Sequence, residues 1–186
     1  MDWRDEPSGY TGFKNQNGQI VIPATFRSSP GFYEGLASVT FDDETRGFIK
    51  PDGSIAFSTG KDSSMGFVNG RAMLHRLTTN SNGKTELYFG FIDKDGNRIT
   101  DIIYQYAESF VGETGNEYAL VYNEGFLSPI NNFFTNDREE SISLYDFFIP
   151  AWSPLFIDKD GNTVPIKEVR ASIKRLTEQA KLKKTQ

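Results

Sequence analysis

The sequence predicts an all-β protein of repeated antiparallel β-hairpin units, about three and a half of them, followed by a C-terminal α-helix. Three observations carry this. A stretch of the form Gly-aromatic, polar turn, apolar return recurs at Gly12–Pro23, Gly47–Ile55 and Gly90–Tyr106, and again without its glycine at Phe156–Val164. Two landmarks share one spacing: Gly47 lies 35 positions after Gly12, and Ala72 lies 35 after Ala37. Finally, the apolar period changes near the end, where Ile166, Val169, Ile173, Leu176 and Ala180 are spaced as one face of a helix.

Residues 1–11 read as a polar lead-in. The first unit then turns at Asn17-Gly18, the second at Asp52-Gly53, the third at Asp95-Gly96 and the last partial one at Asp160-Gly161. Asn-Gly and Asp-Gly between apolar runs signal a hairpin, because its turn needs positive φ. After the first hairpin, Phe32–Phe41 alternates in the manner of a half-buried strand, with Ala37, Val39 and Phe41 on one face. Phe67–Leu74 matches Phe32–Val39 position by position, and Phe110, Gly115, Ala119 and Val121 repeat the pattern. An Ala fixed at Ala37, Ala72 and Ala119 predicts close approach of a neighbouring element there.

Gly-aromatic, Asp-Gly, Ile-x-Ile-Pro and then Phe-x-x-Gly-x-Ala-x-Val resembles the WG repeat found in many bacterial proteins. The resemblance spans residues 12–122, with a degenerate return at 155–164. Phe stands at Phe13, Phe48 and Phe91 where the family has Trp, which keeps the ring and removes the indole donor. The resemblance implies an all-β repeat scaffold without catalytic activity of its own.

A single domain over 1–186 is expected, divided into the three repeats of 12–122, an aromatic-rich insertion at 123–154, a degenerate final hairpin at 155–164 and a C-terminal helix at 165–184. The insertion breaks the period, and Pro129, Pro150 and Pro154 argue against a long helix in it. Pro165 suits a first helical turn, and Lys181, Lys183 and Lys184 complement the helix dipole at the other end.

Composition narrows the function. There is no Cys, which removes disulfides and thiolate metal sites. No apolar run follows a basic start at Met1-Asp2-Trp3-Arg4, and none is long enough to span a membrane, so a cytoplasmic protein is expected. The net charge of −5 is uneven: residues 165–186 carry +5 and the rest −10. An acidic body disfavours a nucleic-acid interface and suits a basic protein partner.

Candidate chemistry is sparse. Asp93-Lys94-Asp95-Gly96-Asn97 and Asp158-Lys159-Asp160-Gly161-Asn162 resemble the start of an EF-hand loop. Such a loop needs Gly sixth and Glu twelfth, and these places hold Arg98 and Tyr104, then Thr163 and Val169. They are read as hairpin turns, and no metal or cofactor is expected. His75, the one histidine, falls opposite Ala72 and Leu74 and is read as a solvated strand residue. No serine has a nucleophile-elbow context.

The expected function is therefore a non-catalytic protein-interaction module, in its specific form a bacterial inhibitor or immunity-type protein. The expected partner site is the insertion: Tyr145, Phe147, Phe148 and Trp152 as ring anchors, with Asp137, Glu139 and Glu140 steering a basic partner. Two other classes stay open, an enzyme with a carboxylate pair in a groove and a purely structural repeat module.

Overall fold

Every Asn-Gly or Asp-Gly turn expected from the sequence is present, and all share one geometry. The computed structural model describes residues 2–4, 8–113, 116–122 and 155–183. In the first turn the Gly18 N–H donates to the Asn15 carbonyl at 3.0 Å, and the Asn15 N–H donates to the Gln19 carbonyl at 2.9 Å. The same two bonds close 50–54, 93–97 and 158–162. Only the glycine has positive φ, from 78° at Gly18 to 85° at Gly96; the Asn or Asp before it does not. This is the longer hairpin loop that ends on a left-handed glycine, not the two-residue loop.

The two-residue loops lie elsewhere. Glu34-Gly35 (φ 51° and 90°) and Asn69-Gly70 (φ 52° and 75°) each put two consecutive residues at positive φ. They split the stretches Phe32–Phe41 and Phe67–Leu74, each expected as a single strand, into the two arms of a hairpin.

Four antiparallel sheets follow one another along the described chain. Sheet A holds β1 (Asp2–Arg4), β2 (Thr11–Lys14) and β3 (Ile20–Phe26). Sheet B holds β4 (Ser28–Tyr33), β5 (Leu36–Thr40), β6 (Arg46–Ile49) and β7 (Ile55–Gly60). Sheet C holds β8 (Ser63–Val68), β9 (Arg71–Thr79) and β10 (Thr85–Ile92), with its return reduced to bridges at Ile92–Arg98 and Phe89–Tyr104. In sheet D, β11 (Tyr106–Ala107) and β12 (Val111–Glu113) pair one edge of β13 (Asn116–Tyr122). The other edge of β13 carries β14 (Leu155–Asp158) and then β15 (Thr163–Val164). The helix α1 (Ile166–Lys183) ends the described chain.

Sheets and sequence repeats are out of step by half a unit. The Ala-x-Val strand of one repeat pairs with the Gly-Phe strand of the next, always in the same register: Ala37↔Ile49, Ala72↔Ile92 and Ala119↔Ile157. The lead-in joins this scheme, contrary to the expectation of a plain polar segment. Trp3 pairs with Gly12 as Val39 pairs with Gly47, so β1 takes the place of an Ala-x-Val strand.

This offset explains the core. Each sheet uses both faces. The ring of the Gly-Phe strand points to the following sheet, while the Ala-x-Val residues point to the preceding one. Phe13, Phe48 and Phe91 meet Phe32, Phe67 and Phe110 edge to face, at centroid distances of 4.7, 4.9 and 5.0 Å. The partners are 19 positions apart each time. Such pairs contribute about 0.5–1.5 kcal/mol beyond area burial. Around them form three clusters, each joining consecutive sheets. Ala37, Ala72 and Ala119 are fully buried in equivalent places, as expected.

The repeat glycine has a steric cause. A Cβ on Gly47 would stand 2.6 Å from the Phe57 carbonyl oxygen of β7, and one on Gly90 would stand 2.6 Å from that of Asp101. In sheet D the return covers only Phe156↔Val164 and Ile157↔Thr163 before the chain leaves into α1. Leu155 takes the glycine's place there. Val169, on the expected apolar face of α1, is 3% exposed, and the helix packs on β12 and β14. The packing of Ile173, Leu176 and Ala180 lies outside the described side chains, and what is expected of Gly115, Lys181, Lys183 and Lys184 lies outside the described residues and side chains as well.

Candidate binding surface

The connections between Ala-x-Val and Gly-Phe strands vary most from unit to unit. Between β5 and β6 the chain turns tightly, with the Phe41 N–H donating to the Thr45 carbonyl at 2.9 Å. Between β9 and β10 the ladder continues out to Thr79↔Thr85, which leaves the facing pair Leu77 and Leu87 exposed. Between β13 and β14 lies 123–154, flanked by the pair Val121↔Leu155. That pair corresponds to Val39↔Gly47 and Leu74↔Gly90, so the insertion occupies a hairpin connection. Its expected site residues, Asp137, Glu139, Glu140, Tyr145, Phe147, Phe148 and Trp152, lie outside the described residues.

A recess of about 150 Å³ opens where sheets C and D meet, walled by Tyr33, Met65, Val68, Met73, Phe91 and Phe110. Arg71 and His75 form its polar side. His75 is thus half-buried in a wall rather than solvated, with its ring 6.4 Å from that of Phe89. Burial, and then the Arg46 charge, hold its pKa below the usual histidine value against the opposing pull of Asp62. Alternation along β9 predicts which face His75 takes. It does not say that sheet D covers that face.

Asp62, in the connection from β7 to β8, is 1% exposed. It accepts from Arg76 Nε at 2.5 Å and Nη2 at 2.9 Å, and from Arg98 Nη2 at 3.0 Å. Both carboxylate oxygens are therefore satisfied, as a buried charge requires. Sequence reading missed this cluster. The arginines lie far from Asp62 along the chain, and neither spacing matches any motif.

The two EF-hand-like loops spend their carboxylates on themselves. Asp93 Oδ1 accepts the N–H groups of Asp95 and Asn97, and Asp158 Oδ1 those of Asp160 and Asn162. At Asp93 burial opposes ionisation, but the bonds from Asn97 and Asp95 outweigh it and hold the carboxyl below its usual range. Asp158 behaves likewise through Asn162, Asp160 and Gly161. A second recess, about 180 Å³, collects Glu117, Asp158, Asp160 and Glu168 near the start of α1. Among the described residues, no group of three His, Asp or Glu is placed to hold a metal ion, and no helix is long and apolar enough to cross a membrane.

The model of the WG containing repeat family matches residues 12–44 and 89–125. No curated protein and no solved structure matches the chain.

Proposed function

We propose that this chain, a carrier of WG containing repeats at 12–44 and 89–125, works as a non-catalytic protein-binding module of the inhibitor or immunity type in a bacterial cytoplasm. Its partner is a basic protein, and Tyr145, Phe147, Phe148, Trp152, Asp137, Glu139 and Glu140 carry the contact. One observation supports this most: 123–154 enters and leaves through the Val121↔Leu155 pair, in the register used by a tight turn at Val39↔Gly47. The sheet does not need the length of that segment. Repeat scaffolds commonly place specificity on such insertions.

The test exchanges 123–154 for the turn segment 41–46, which keeps the Val39↔Gly47 register at Val121↔Leu155. The wild-type chain should capture a basic protein from lysate, and the exchanged chain should keep its melting temperature and capture nothing. Within the intact chain, Trp152→Ala should weaken binding by about 2 kcal/mol or more. Glu139→Lys with Glu140→Lys should mainly slow association. Undiminished capture by the exchanged chain would remove 123–154 as the partner site, and no capture by the wild-type chain would leave the structural-module reading in its place.

A further inference from the structure

The recess between sheets C and D has a filled counterpart inside the same molecule. At the junction of sheets B and C, the Tyr33 ring lies on Gly66 so closely that a Cβ there would stand 2.6 Å from Tyr33 Cδ2. One repeat later, Val68 follows Phe67 as Tyr33 follows Phe32, and Ser109 precedes Phe110 as Gly66 precedes Phe67. Val68 and Ser109 both line the recess. The first junction therefore has a large ring and no facing side chain, and the second has a small side chain and no ring. The recess is lined by Val68 and Ser109, the positions equivalent to Tyr33 and Gly66, and Tyr33 itself forms part of its wall.

We propose that this recess is a socket for an aromatic side chain, tyrosine above all, presented by the protein partner. The wall chemistry selects a ring over an aliphatic group. Met65 and Met73 offer two thioethers, which make favourable contacts with ring edges. Phe91 and Phe110, already edge to face at 5.0 Å, extend an aromatic lining. Arg71 supplies the one charged side chain of the lining. Its Nε donates to the Lys159 carbonyl at 2.9 Å and its Nη1 to the Gly70 carbonyl at 2.8 Å, so the guanidinium is fixed in place. A fixed cation beside an apolar slot attracts the negative face of a ring. Met65 is 69% exposed and Val68 44%, so the socket opens to solvent. The proposal rests on the reading of the chain as a protein-binding module, but it locates a contact outside 123–154.

The methionines provide the readout. The chain has three, Met1, Met65 and Met73, and the last two are in the wall. In protein labelled with ¹³C-methyl methionine, N-acetyl-tyrosinamide should shift the Met65 and Met73 signals upfield along a saturable curve and leave Met1 unmoved. N-acetyl-leucinamide at equal concentration should give no saturable shift. Val68→Tyr with Ser109→Gly, which recreates the Tyr33–Gly66 arrangement, should abolish the response. Val68→Phe alone serves the same purpose if the double variant does not fold. Unmoved or linearly drifting wall signals, an equal response to the leucine probe, or saturable shifts that persist in the filled variant would each overturn the socket. The assay contains no partner, so its failure stays distinct from failure of the capture experiment. Capture without any probe response removes the socket and leaves the binding module.

Discussion

Sheets B and D place the same strand in different surroundings. In sheet B, β6 runs between β5 and β7 over its whole length, and its Gly47 faces the Phe57 carbonyl. In sheet D, β14 has β13 on one side, but β15 pairs only Phe156 and Ile157 before the chain turns into α1. Where the returning backbone is close, the first residue has no room for a side chain. Where the return stops short, Leu155 takes that place and packs on the core of sheets C and D. The repeat glycine thus answers the crowding of a three-strand crossing and not a turn.

The sharpest way to break this comparison is to add one methyl group. Gly47→Ala puts a Cβ against backbone, where no side chain can swing away, and should cost about 3 kcal/mol or more of stability in urea unfolding. Leu155→Ala removes part of a half-buried side chain and should cost less, roughly 1–2 kcal/mol. Equal losses at the two sites would remove the steric account.

A smaller effect tests whether the sheets pack alike despite their different returns. Ala72→Leu should overpack the junction of sheets B and C by roughly 1–3 kcal/mol, measured as a lower urea midpoint. Ala119→Leu should do the same in sheet D, because Ala72↔Ile92 and Ala119↔Ile157 share one register and both alanines are fully buried. A tolerated leucine at Ala119 alone would mean that the helix-capped sheet is the looser one.

The smallest effect concerns the turns of the two sheets. Asp52 accepts from the Ser54 hydroxyl and N–H, which lowers its pKa. In Asp158 burial raises it, but the bonds from Asn162 and the loop prevail, and the net shift is again downward. A carboxyl whose folded pKa lies below its unfolded value of about 3.9 contributes its full stabilisation above that pH. The contribution is lost as pH falls through the depressed folded value. Melting temperature should therefore be flat from neutral pH to about 5 and decline below 4, and Asp158→Asn should flatten the decline slightly. An unaltered acid limb in that variant would mean that the turn bonds are not coupled to folding.

Sequence alone determined the elements that depend on neighbours along the chain. Asn17-Gly18 and its three counterparts marked four glycine-ended turns, because a left-handed residue must be nearly free of side-chain strain, and Asn82-Gly83 closes a fifth with the same bonds. The alternation at Ala37, Val39 and Phe41, and the period from Ile166 onward, set strand and helix. The two-residue loops were only half legible: Asn69-Gly70 carries a hairpin dipeptide, whereas Glu34-Gly35 does not, and its positive φ at Glu34 comes with the Phe32↔Ala37 and Tyr33↔Leu36 pairing. Tertiary structure decided everything that depends on which sheet faces which. It paired each repeat with half of the next, drew Asp2–Arg4 into the first sheet, and set Asp62 between Arg76 and Arg98. It also left an opening beside Val68 where Tyr33 had filled the one before. A hairpin is a local matter of turn and register, but an ion cluster or a recess exists only once three separate segments have been brought to one place, and no spacing in the sequence encodes that meeting.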